Sequence, residues 1–217
     1  MRVLAVDTTA RLGSLALLED EELLEESPVH APEGFSPVLF AELLKTLERH
    51  GWGVDTIDCF AAASGPGSFT GVRVGLTAVK GLAEATGSAA VGVSNLKALA
   101  SYGLGGVRGV IADARRGEVY GAVYDAELCV ILAETVMPFP AWISSLPQDL
   151  SSIVSPDFSA FRASFALDVP VVEQGVIAGA IARIAEQQIC SGLVMDSAAI
   201  DANYVRRSDA ELLWRDR

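Results

Sequence analysis

The chain has 217 residues, 51% of them hydrophobic and 20% charged, and carries a formal net charge of −12. That is a globular composition with material for a core, and the length suits one large domain or two small ones. A surface this acidic repels phosphates, which argues against unaided nucleic-acid binding by counterion release, and any role in RNA metabolism would need a basic partner to hold the RNA.

Residues 2–6 read as a strand from the start, with no signal-peptide core, and no apolar run reaches the roughly 20 residues that span a bilayer. A cytoplasmic protein without a membrane partner is expected. Strands at 14–18 and 23–26 follow, joined by the acidic turn Glu19-Asp20-Glu21-Glu22, and the three read as an antiparallel meander. Ser36 offers an N-cap and Pro37 suits the first helical position. Leu39, Leu43 and Leu47 then recur at four-residue spacing, with Phe40 and Leu44 widening the stripe and Gly51 closing the helix.

A short apolar strand at 59–63 leads into Gly65-Pro66-Gly67-Ser68-Phe69-Thr70-Gly71-Val72-Arg73. Beyond it Val72, Leu76, Val79 and Ala83 keep helical spacing, which predicts a helix from 70 to about 85. A strand at 90–93 and a short helix capped by Ser94 complete the first half. Gly103-Leu104-Gly105-Gly106 is the boundary candidate, dividing the chain into lobes 1–103 and 107–217.

The same order then begins again: strands at 107–112, 118–124 and 128–136, alternating elements, and a helix at 177–190. No residue-level repeat is visible; the repeat lies in the order of elements. Two α/β lobes, each a mixed sheet of antiparallel meander plus parallel strands with flanking helices, are expected. A single α/β sheet carrying a meander is the alternative.

Strand, glycine turn and helix together can aim backbone N–H groups at an anion. No phosphate lysine follows the glycines, so Gly65, Pro66, Gly67 and Ser68 read more readily as a tight structural turn than as an anion loop. Asp7-Thr8-Thr9 ends the first strand and Asp113 ends the first strand of the second half. Such a pair suggests a nucleotide cleft; the hydroxyls and carboxylate of 7–9 serve equally as turn caps. Gly71, Gly75 and Gly81 each cost their helix about 1 kcal/mol relative to alanine, so a close neighbour is expected on that face, with the leucine-rich helix as the internal candidate.

Metal and nucleophile chemistry find little support. The two histidines, His30 and His50, lie far apart, with no HExxH pattern and no nucleophile elbow. The three cysteines form no CxxC pair, and Cys59 and Cys129 read as small core residues.

The segments Leu4-Ala5-Val6-Asp7-Thr8, Gly65 to Arg73, Asp113-Ala114-Arg115-Arg116-Gly117-Glu118-Val119-Tyr120 and Tyr204-Val205-Arg206-Arg207-Ser208-Asp209-Ala210 together resemble the bacterial TsaB (YeaZ) family, nearly end to end. The resemblance implies an actin-like ATPase fold with two ribonuclease-H-like lobes. It implies a role in forming threonylcarbamoyl-adenosine on tRNA as a non-catalytic subunit that binds the TsaD transferase, and with it TsaE. It links the chain indirectly to the threonylcarbamoyl-adenylate synthase and to tRNA, and implies a homodimer when the chain is alone. No catalytic residue, metal or cofactor is implied, and ATP or ADP only at an interface with partners. The implied partner surface comprises Leu39, Phe40, Leu43, Leu47, Gly71, Val72, Gly75, Leu76 and Val79. The chain departs from the family at Phe35-Ser36-Pro37 and at Ser155-Pro156, where proline removes a backbone N–H that a nucleotide turn would use. An actin-like kinase or ATPase using Asp7 and Asp113 is the alternative function, and a metallopeptidase a further one.

Overall fold

The computed structural model describes residues 1–192 and 199–206. Its first sheet is built from β1 (Arg2–Asp7), β2 (Leu12–Glu19), β3 (Glu22–His30), β4 (Cys59–Gly65) and β5 (Ala89–Ser94), in the order β3-β2-β1-β4-β5. The first three strands form the antiparallel meander, and β4 and β5 add in parallel. The second sheet uses β6 (Val107–Arg115), β7 (Glu118–Asp125), β8 (Val130–Pro138), β9 (Ser152–Ser155) and β10 (Val171–Glu173), in the order β10-β9-β6-β7-β8. Strand for strand this repeats the first sheet, so the expected architecture of two mixed sheets is what the chain forms.

Alternation along the strands divides the core into layers. In β1, Val3 and Ala5 face a core shared by both sheets, while Leu4 and Val6 face an outer core; β4 repeats this with Cys59, Ala61 and Ala63 against Phe60 and Ala62. The outer face of the first sheet carries α1 (Leu39–Arg49) and α2 (Phe69–Thr86). The shared core holds α3 (Asn95–Ala100), which packs on β6 and β7, and α5 (Ala178–Cys190), which packs on β1, β2 and β4. Each lobe's last helix thus covers the other lobe's sheet. The connection 103–106 lies between α3 and β6, yet the second half of the chain supplies a helix to the first sheet. The outer face of the second sheet is sealed by α4 (Phe139–Ser145) and an aromatic cluster of Phe139, Trp142, Phe158 and Phe161.

Several local expectations shift. Helix α1 starts at Leu39, and Ser36 does not cap it. The Phe35 carbonyl starts the helix instead, accepting from the N–H groups of Val38 at 3.0 Å and Leu39 at 2.9 Å. Ser94 caps α3 as expected, accepting from Leu96 and Lys97 N–H. Cys129 is exposed, contrary to its core assignment, because it precedes β8 at the exposed end of that edge strand. Cys59 is buried, and burial pushes its thiol up to about 12.

Candidate functional site

The glycine turn leaves β4 at Gly65, which sits at φ +102 and is joined to Pro66 by a cis peptide bond. Three of the N–H groups in and just after it are engaged within the chain. Gly65 N–H donates to Asn95 Oδ1 at 2.8 Å, and Ser68 N–H to the Thr9 carbonyl at 2.8 Å. Ser68 Oγ accepts from Gly71 N–H, so this serine is the N-cap of α2. The segment 200–206 lies over the turn: Asn203 N–H donates to the Ser64 carbonyl at 2.8 Å, and the Tyr204 ring stacks on Phe69 with centroids 5.0 Å apart. The turn is therefore closed by the chain itself.

The 7–9 segment is equally committed. Asp7 is buried and its Oδ1 accepts from Thr9 N–H at 2.9 Å and Thr9 Oγ1 at 2.6 Å. Burial raises its carboxyl above the ordinary range, opposed in part by the two Thr9 hydrogen bonds. Thr8 Oγ1 donates to the Gly71 carbonyl at 2.7 Å, and Asn95 Nδ2 donates to Thr9 Oγ1. These groups cap a turn, one of the two roles their sequence allows. Asp113 is bound locally, accepting from Arg115 N–H at 2.7 Å beside the Arg115 guanidinium at 3.5 Å. Among the described residues no three His, Cys, Asp or Glu side chains come together as a metal site.

Two of the helix glycines, Gly71 and Gly75, find a close neighbour in Thr8 at the end of β1 rather than in α1. A Cβ on Gly71 would overlap the Thr8 carbonyl oxygen, and one on Gly75 would lie 2.6 Å from Thr8 Oγ1. Glycine at 71 and 75 thus lets α2 pack onto the end of β1. Val72, Leu76 and Val79 share that inward face and are buried, as are Leu39, Leu43 and Leu47 of α1. Of the nine residues proposed as partner surface, eight sit inside the chain's own fold; only Phe40 is exposed, at 50%. The physical reason is periodicity. The i, i+4 stripe of α1 and the glycine face of α2 cover their own sheet, and a step of one residue, about 100° around a helix, turns Phe40 and Leu44 outward.

Between α1 and α2 a groove of about 630 Å³ opens on the outside of the molecule. Phe40, Thr70, Arg73, Val74, Gly81 and Leu82 are among its lining residues. Leu44, also 50% exposed, follows Phe40 by one turn on α1. Nothing lies within 4 Å of a Cβ placed on Gly81. The sequence did carry this signal, in a second α2 stripe of Val74, Ala78 and Leu82 opposite the Phe40–Leu44 pair. Of the C-terminal motif, residues 207–210 lie outside the described residues.

The family model of TsaD, tRNA N6-adenosine threonylcarbamoyltransferase, matches residues 27–193. The TsaB tRNA threonylcarbamoyladenosine biosynthesis protein of Escherichia coli K12 is 34% identical over 131 residues, 58% of this chain and 56% of that one. The TsaB protein of Bacillus subtilis 168 is 32% identical over 126 residues, 57% of this chain and 55% of that one. The chain therefore spans little more than half the length of these relatives, and the aligned part is shorter than the end-to-end resemblance expected. The fold match is longer: YeaZ from Pseudomonas aeruginosa superposes with a TM-score of 0.79 at 24% identity, covering 94% of this chain and 100% of that one. The fold is thus shared with a solved YeaZ, the TsaB resemblance holds, and the chain belongs to the TsaD threonylcarbamoyltransferase family, with TsaB biosynthesis proteins among its relatives.

Proposed function

We propose that this chain is a non-catalytic subunit of the machinery that forms threonylcarbamoyl-adenosine on tRNA, and that it acts by docking the TsaD transferase on the α1–α2 groove. TsaE joins through that pair, and the synthase and tRNA are met only through the assembly. The observation that carries this reading is the exposed pair Phe40 and Leu44 beside an open groove lined by Val74 and Leu82. Large apolar side chains turned outward on neighbouring turns mark a docking face. Without TsaD the same face pairs two copies of this chain. The chain needs no cofactor of its own, and ATP or ADP enters only at a shared interface.

The groups that a nucleotide enzyme would use support the non-catalytic reading, because Asp7 serves Thr9 and the glycine turn is covered by residues 203 and 204. Reconstitution of tRNA modification with the synthase, TsaD and TsaE, with and without this chain, tests the proposal. Modification is expected only when the chain is present, and is expected to fail with Phe40→Glu/Leu44→Glu although that variant folds. Full modification in its absence overturns the reading. Micromolar ATP binding to the isolated chain in calorimetry, abolished by Asp7→Ala, would favour the kinase or ATPase alternative.

A further inference from the structure

Residues 200–206 touch more of the molecule than a surface segment of that length needs to. Ile200 is buried in the outer core of the first lobe, over Gly92, whose Cβ would lie 2.7 Å from Ile200 Cγ2. Asn203 joins both lobes: its N–H donates to the Ser64 carbonyl at the end of β4, and its side-chain amide donates to Glu134 on β8. The same carboxylate accepts from Tyr124 of β7 at 2.8 Å and from Ser94 of the first lobe. Arg206 donates to the Ala114 carbonyl at 2.7 Å and lies 3.4 Å from Glu118, both in the second lobe.

Between these anchors Tyr204 reaches the start of α2. Its ring lies on Phe69 at an interplanar angle of 17°, and its hydroxyl accepts from Arg73 Nε at 3.1 Å. The Arg73 guanidinium in turn lies 5.8 Å from the Phe69 ring. Arg73 is also one of the residues that line the α1–α2 groove. A flexible arginine at the mouth of a docking site loses rotamer freedom when a partner arrives, and a fixed one has already lost it.

We infer that residues 200–206 form a clasp across the two lobes, and that Tyr204 is a positioning residue that holds Arg73 and Phe69 at the mouth of the partner groove. The second half of this statement rests on the docking reading; the first does not. The clasp couples the lobes to the groove: separation of β8 from β4 pulls on Asn203, and the neighbouring Tyr204 then leaves Phe69. Partner affinity thus depends on a residue outside the groove lining.

Hydrogen exchange on the full chain, alone and with TsaD, tests both halves. Tyr204→Ala is expected to speed exchange across residues 68–73 of the isolated chain while the central strands stay protected. Docking to TsaD is expected to weaken about tenfold, the size of one lost aromatic pair. Tyr204→Phe keeps the stack and is expected to restore docking to within about threefold of the native chain. Asn203→Ala is expected to speed exchange in both 64–70 and 130–136, because it unties both lobes. Unchanged exchange in Tyr204→Ala and Asn203→Ala overturns the clasp. Faster exchange with unchanged docking overturns the positioning role alone. Phe40→Glu is the control: if it leaves docking intact, the groove is not the docking site, and the exchange data still decide the clasp.

Discussion

Helix α2 has two faces that meet different worlds. Its inner face carries Gly71, Val72, Gly75, Leu76 and Val79, all buried, and lies so close to Thr8 that no side chain fits at 71 or 75. Its outer face carries Arg73, Val74, Gly81 and Leu82 and lines an open groove with Phe40 of α1. Gly71 and Gly75, which cost helix stability, are required by contact within the chain, so they say nothing about a partner. The outward apolar side chains Val74 and Leu82 pack only in part against the outer core and leave the rest of their surface in the groove, and the proposed docking rests on these.

Substitution separates the two faces. Gly71→Ala places a methyl against the Thr8 carbonyl, a backbone atom that cannot move aside. A loss of about 3 kcal/mol in urea unfolding is expected, whatever partner is present. A loss below about 0.5 kcal/mol would show that α2 can shift off β1. Phe40→Glu is the mirror case. Its side chain is half exposed, so stability should stay within about 0.5 kcal/mol, while TsaD docking, followed by co-elution and titration, should fall by about 2 kcal/mol, roughly thirtyfold. A variant that unfolds before it stops docking would place Phe40 in the core after all. Gly75→Leu and Leu43→Glu, by contrast, strike the fold itself and carry no information about docking.

Much of the fold was legible because two signals repeat. Residues 2–6 and 59–63 alternate between two apolar layers, and the order of elements recurs after the 103–106 glycines. The exchange of α3 and α5 between lobes was not legible, since an apolar stripe does not name the sheet it covers. Nor was the true face of α1. Leu39 and Phe40 are adjacent in a run that is apolar at both positions, and only packing decides which of them turns inward. The glycine turn read as either an anion loop or a tight turn. Its covering by Asn203 and Tyr204 comes from more than 130 residues downstream, a distance over which local pattern is silent.

The inner face can be weakened more gently at Thr8, whose hydroxyl donates to the Gly71 carbonyl at 2.7 Å from a buried position. Thr8→Val keeps the shape and removes the donor, and a loss of about 1 kcal/mol in urea unfolding is expected, with TsaD docking unchanged. A docking defect larger than the stability loss would mean that the two faces of α2 are coupled through the helix.

Asp7 gives the smallest effect and the sharpest sign. Burial raises its carboxyl above the ordinary value of 3.8. Between 3.8 and that raised value the folded chain holds more protons than the unfolded one. The contribution of this group to stability therefore falls as pH rises through that window, and the deficit persists at neutral pH. Asp7→Asn removes the ionisation and keeps an oxygen to accept from Thr9 N–H and Oγ1. The variant is expected to be more resistant to urea than the native chain at pH 7, with the gain vanishing as pH drops below 3.8. A carboxylate that caps a turn gives this result with tRNA modification intact, because the amide does the same work. A carboxylate that holds a metal-bound phosphate gives the opposite: modification is lost with the charge, and any gain in stability is bought at the expense of activity.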